Sequence, residues 1–296
     1  MRYRFLTCDV FTERRFGGNQ LAVLPDAKGL VDAQMQAIAA EFNYAETTFV
    51  LPPTSPDHLA RVRIFTPRFE MPFAGHPTVG TALVLAWLGR VPDNRAFVLE
   101  EKAGPVPVRL RPSDGPAAFA EFSAPQAATH GAPLPVPPLA VALGLEPADL
   151  VTSGGLPCVA SCGAPFVLVE LASLAALARA TLDARAELPS GAVGVHLFTR
   201  ETNDVAVDLR ARMFAPAHGV AEDPATGSAA AALAGYLAGR PNLADGWHEW
   251  RIAQGIEMGR PSLIAARARR SQGAVAEVCI GGTAIPVAEG TIEVDA

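Results

Sequence analysis

A chain of 296 residues, half of them apolar, carries enough material for two ordinary domains, each with a core of its own. A formal charge of −6 leaves no basic surface to hold a phosphate backbone, and runs such as Arg267, Arg269 and Arg270 are short, which argues against nucleic acid as a partner. No stretch reaches the roughly 20 apolar residues of a membrane span, so the reading is a soluble, cytoplasmic protein with no membrane partner. Its cysteines, Cys8, Cys158, Cys162 and Cys279, are scattered and lack a second Cys/His pair at ligand spacing, which points to reduced thiols and no metal site.

In chain order, strands are expected at Phe5 to Val10 and Leu21 to Leu24, a surface helix at Asp32 to Phe42, and strands at Thr47 to Leu51 and Arg61 to Phe65. Thr78 to Leu88 is apolar all round, the mark of a buried helix, with Pro77 suited to its first position and Gly89 to its stop. Strands follow at Phe97 to Glu100 and Val106 to Leu110. The proline-rich passage Pro125 to Pro138 reads as a domain linker. Beyond it come strands at Phe166 to Val169, Val193 to Thr199 and Val205 to Phe214, with a surface helix at Leu171 to Arg185. A second buried helix, Ala225 to Leu237, runs between Pro224 and Gly239, and strands close the chain at Val275 to Ile280 and Thr291 to Val294.

An internal repeat organises this series. RIFTP at 63 to 67 matches RMFAP at 212 to 216, and GHPTVGTA at 75 to 82 matches EDPATGSA at 222 to 229. The second match pairs His76 with Asp223, Gly80 with Gly227 and Thr81 with Ser228. The expected fold is therefore α+β: two pseudo-symmetric halves, each a curved, mostly antiparallel sheet wrapped around a buried central helix. The boundaries are 1–124, joined by the last strand 285–296, and 125–284.

Chemistry concentrates where the two buried helices begin. A helix start carries unpaired N–H groups and about half a positive charge, a ready site for an anion. Asp223 suits an N-cap, whereas His76 does not, which leaves the first helix start open to an outside acceptor. Glycine in the first turn costs about 1 kcal/mol against alanine. Gly80 and Gly227 either admit a ligand or let the helices pack. His76 and Asp223 would face one another across a shared cleft, with Asp223 either binding a ligand or merely capping, and Glu222 a solvated neighbour. Glu46 opens an apolar strand: by pattern alone it is an exposed glutamate, but enclosed by apolar walls its pKa would rise toward neutrality, where one carboxyl can take and return a proton.

Taken together, DVFTERRFGGNQLAVLPDA at 9 to 27, NYAETTFV at 43 to 50, FAGHPTVGTA at 73 to 82, EDPATGSAAA at 222 to 231 and QGIEMGRPS at 254 to 262 resemble, in order, the signatures of the PhzF family. The resemblance implies a diaminopimelate-epimerase-like fold, a homodimer, no metal and no organic cofactor. It implies an isomerase similar to trans-2,3-dihydro-3-hydroxyanthranilate isomerase, moving a proton within a small carboxylic acid substrate. Glu46 is then the catalytic acid and base, and Gly75, His76, Asp223, Gly227 and Ser228 bind substrate. The alternative is a non-catalytic small-acid-binding or regulatory protein on the same fold. Ala45 departs from a frequent serine and Gln20 from a frequent proline. Neither helix start contains a cysteine, which disfavours the two-thiol racemisation of related enzymes.

Overall fold

A computed structural model of the chain describes residues 1–111, 118–189 and 191–295. It divides into two compact units, residues 1–125 with 281–296 and residues 126–280. No helix among the described residues is long and apolar enough to cross a membrane.

The first unit contains β1 (Arg2–Val10), β2 (Asn19–Leu24), α1 (Asp32–Phe42), β3 (Glu46–Leu51), β4 (Ala60–Phe65), β5 (Glu70–Met71), α2 (Gly75–Trp87), β6 (Ala96–Glu101), β7 (Gly104–Arg111) and β8 (Phe119–Ser123). Pairing runs β1, β2, β3, β4, β6, β7, β8. The chain's last strand then joins β8 to β1, so the sheet closes on itself. α2 packs against β1, β2, β3 and β8, and every residue from Gly75 to Leu85 is buried, which explains its lack of a polar face. α1 covers the opposite face, where Met35, Ile38 and Ala39 meet Leu24, Phe49, Leu51 and Phe65.

The second unit contains β9 (Thr129–Pro133), α3 (Val136–Ala142), β10 (Leu150–Val151), β11 (Cys158–Ser161), β12 (Pro165–Leu171), α4 (Leu174–Arg179), β13 (Gly194–Thr199), β14 (Leu209–Ala215), β15 (Val220–Asp223), α5 (Gly227–Ala238), β16 (Gly246–Gln254) and β17 (Ser262–Ser271). β18 (Ala274–Glu293) begins here and from Gly281 belongs to the first unit. β12 and β13 run parallel and the remaining neighbours are mostly antiparallel. α5 lies against β11, β12 and β17, while α3 and α4 cover the other face through Leu143, Ala176 and Leu177.

Several elements differ from expectation. α2 begins at Gly75 and α5 at Gly227, so Pro77 is the third helical residue and Pro224 lies in the preceding loop. The helix expected at Leu171 to Arg185 is confined to Leu174–Arg179, because the Arg212 guanidinium takes the carbonyls of Leu177, Ala178 and Ala180 and the Thr181 N–H turns to Leu143 O. The Pro125 to Pro138 passage is not a bare linker: it supplies β9, paired with β11, and the start of α3. Val275 to Ile280 and Thr291 to Val294 are largely parts of the single strand β18, and the long β16–β17 hairpin has no counterpart among the expected strands.

Candidate active site

Strand alternation decides where Glu46 points. On β3, Phe49 and Leu51 face α1, so Glu46, Thr48 and Val50 take the opposite face, toward α2. The hydrogen bond between the Thr48 and Thr81 hydroxyls, 2.9 Å and buried, ties that face of β3 to the helix. The Glu46 side chain is 15% exposed, against the pattern's reading of a solvent-facing glutamate.

The start of α2 delivers His76 to the same spot. Its N-cap, Ala74, has no side chain able to cap, and Gly75 and His76 form the first turn. The Asn19 Nδ2 lies 3.1 Å from His76 Nδ1, and the Gln20 backbone also bonds to the ring. His76 Nε2 then faces Glu46 Oε2 at 3.4 Å. Burial pushes the imidazole down to about 3, so at neutral pH it is uncharged. The contact is therefore between a carboxyl and a neutral ring holding one proton, an arrangement suited to steering a proton and not to neutralising a charge.

In the second unit Asp223 closes β15 and is buried. It is not the N-cap of α5. That place belongs to Thr226, whose hydroxyl donates to Asp223 Oδ2. Gln254, wholly buried, donates to the Asp223 carbonyl at 2.7 Å and accepts the Thr226 N–H at 3.2 Å. Gly227 and Ser228 open the helix, and Ser228 is only partly buried while the residues from Ala229 to Ala238 are buried.

The strand registers correct the repeat. Ile64 pairs with Met71 and Met213 with Asp223, and RIFTP and RMFAP make Ile64 the counterpart of Met213. Each helix begins four residues later, at Gly75 and Gly227. Met71 thus corresponds to Asp223, Ala74 to Thr226, Gly75 to Gly227 and His76 to Ser228, so His76 and Asp223 are not equivalents. Ion pairs repeat in the same frame. Arg63 bonds Glu70 and lies over Phe65, as Arg212 bonds Glu222 and lies over Phe214. Glu222 is accordingly a partner of the buried Arg212 and not a solvated neighbour.

This frame leaves Glu46 without a twin. Thr47 pairs with Phe65 and Val195 with Phe214, which sets Gly194 at the place of Glu46. A Cβ there would lie 2.5 Å from the Phe214 carbonyl. Gly80, in the second turn of α2, resolves in favour of packing: a Cβ would meet Leu21 Cδ2 at 2.5 Å and Val10 Cγ2 at 2.7 Å.

Of the residues singled out in the sequence, Glu46, Gly75 and His76 come together in the first unit, and Asp223, Gly227 and Ser228 in the second. Asn19 and Gln254 were missed as individual residues. Both stand inside motif strings, and a polar side chain before an apolar run (Asn19) or ending one (Gln254) was the available signal.

The family model for phenazine biosynthesis-like proteins, PhzC-PhzF, matches residues 8–290. The chain is 44% identical to an uncharacterized isomerase of Mesorhizobium japonicum, covering 97% of this chain and 98% of that one. It is 38% identical to the trans-2,3-dihydro-3-hydroxyanthranilate isomerase of Pseudomonas aeruginosa, over 97% of this chain and 98% of the other. The crystal structure of a PhzF-family phenazine biosynthesis protein from Bacillus anthracis superposes with a TM-score of 0.90 at 28% identity, covering 99% and 100% of the two chains. The fold is the diaminopimelate-epimerase-like α+β fold. With matches spanning nearly its whole length, the chain belongs to the PhzC-PhzF family of phenazine biosynthesis-like proteins, a family of isomerases.

Proposed function

We propose that this isomerase shifts a proton within a small carboxylate-bearing substrate without a cofactor, in the manner of the trans-2,3-dihydro-3-hydroxyanthranilate isomerase it is similar to. Glu46 removes a proton from one carbon as carboxylate and returns it, as carboxylic acid, to another carbon of the same molecule. His76 and Asp223 hold the substrate's polar groups. Gly75, Gly227 and Ser228 offer N–H groups and a hydroxyl to its carboxylate and to charge that develops during transfer. The protein acts as a cytoplasmic homodimer.

The observation that carries this reading is the Glu46–His76 contact at the start of α2, 3.4 Å between largely buried side chains. The glycine at the corresponding place in the other unit supports it, because a single carboxyl must then serve as both base and acid.

The test is proton exchange in heavy water, with trans-2,3-dihydro-3-hydroxyanthranilate as substrate and NMR as the readout. Wild-type protein incorporates deuterium at a ring carbon and Glu46→Gln does not. Exchange at an undiminished rate in Glu46→Gln removes Glu46 from the role.

A further inference from the structure

Behind the start of α2 lies a second carboxyl that the chemistry above does not use. Glu101 ends β6 with 7% of its surface exposed, and its Oε2 is buried without a hydrogen-bond partner among the described residues. Its other oxygen meets the helix: Thr78 Oγ1 is 2.6 Å from Oε1, and the Ala74 N–H reaches the same carboxyl. The neighbouring turn is pinned as well, through Ala103 N–H to Pro72 O at 2.8 Å.

Proton counting sets its state. The Thr78 hydroxyl has one proton and two oxygens within reach, Ala74 O at 2.7 Å and Glu101 Oε1 at 2.6 Å. One hydroxyl proton cannot serve two acceptors, so both short contacts are hydrogen bonds together only when Glu101 supplies the second proton. A bare, buried Oε2 is also tolerable on a neutral acid and costly on a carboxylate.

We propose that Glu101 is a positioning residue, a neutral carboxylic acid that fastens the first turn of α2 through Thr78 and Ala74 and so holds His76 toward Glu46. This rests on the proposed roles of His76 and Glu46. In the neutral form Glu101 leaves the positive end of the helix free for an anionic ligand. Ionised, it sets a full negative charge against that turn and opposes such a ligand.

Among the described residues, the groups around it do not supply a compensating cation. Lys102 is paired with Glu70, and Arg63 with Glu70 and Asp32. Glu100 is bonded to Thr54, Ser55 and His58. Arg61 lies in the same surface hollow but is exposed, and His76, the titratable group on α2, is neutral. Burial accordingly pushes Glu101 up to about 8.

The test is NMR on the full chain carrying carboxyl-labelled glutamate and ring-labelled histidine, titrated from pH 6 to 10. Glu101 is expected to read as a neutral acid at pH 7 and to titrate near 8, with the His76 ring resonances moving at the same midpoint. In Glu101→Gln that His76 transition disappears. A Glu101 already ionised at pH 7, or a His76 ring indifferent to its titration, overturns the proposal. The wild-type titration needs no variant, so a misfolded Glu101→Gln leaves it decisive. It also contains no turnover step, so a protein inactive on every substrate tried would not affect it.

Discussion

Asn19 and His76 meet side chain to side chain in a fully buried contact, with Nδ2 of one 3.1 Å from Nδ1 of the other. The first residue of β2 thereby sets the angle of a ring carried by α2. Asn19→Ala is expected to cost about 1–3 kcal/mol, since a buried ring nitrogen loses this partner. A ring free to turn should lower proton exchange by about 100-fold. Urea unfolding and the heavy-water assay measure the two effects separately.

Two histidines and one glutamate give stability opposite dependences on pH. His76 and His196 are buried, with folded-state values of about 3 against an ordinary 6.5. Their contribution is complete above pH 6.5 and falls as pH drops toward 3, by about 1.4 kcal/mol per pH unit for each. Glu101 is raised from 4.5 to about 8, so its contribution is complete below 4.5 and is lost as pH rises toward 8. Both ring nitrogens of His196 are buried without partners among the described residues. His196→Leu should therefore flatten the acid limb by one proton while holding or raising stability at pH 7. Urea midpoints across pH 4 to 9 test this, and an unchanged acid slope would contradict it.

Gly194→Ala should destabilise by about 1–3 kcal/mol, because the new methyl lies 2.5 Å from a backbone oxygen that can move only if β13 and β14 part. Gly131→Ala, whose Cβ would find its nearest neighbour at 3.8 Å, serves as the near-neutral control. Thermal melts of the pair give the comparison.

Arg212→Met should cost about 3–5 kcal/mol, since it strands Glu222 and three helix-terminal carbonyls in a site where the arginine side chain is 9% exposed. Arg63→Met, at the matching position, should cost less because one of its partners, Asp32, is 82% exposed. Equal losses in denaturant titrations would contradict the difference.

The buried helices were legible because sustained apolar residues without a polar face fit only an interior. α1 was legible to the residue, from its turn-like flanks and a single apolar stripe. The orientation of Glu46 was not. Alternation fixes which residues share a face, but which face meets α2 depends on α1 covering the other one. RIFTP and RMFAP display the repeat, but the proline and glycine shared by the two following strings suggest a register that the backbone does not keep. Backbone pairing sets the true frame, and no single string displays it. The β16–β17 hairpin escaped because its outward residues, Trp247, Glu249, Arg251, Arg267 and Arg269, mix large apolar and charged types.

The passage of β18 from one unit to the other sets an order of assembly. One edge of β1, from Arg2 to Val10, is paired by residues 284–293, near the far end of the chain, while β2 pairs the other edge from Leu6 to Val10. The part translated first must wait on the ribosome with an open seam, while residues 126–280 emerge complete. A nascent chain stalled before residue 281 should yield a protease-resistant C-terminal body and a digestible N-terminal one, the reverse of synthesis order.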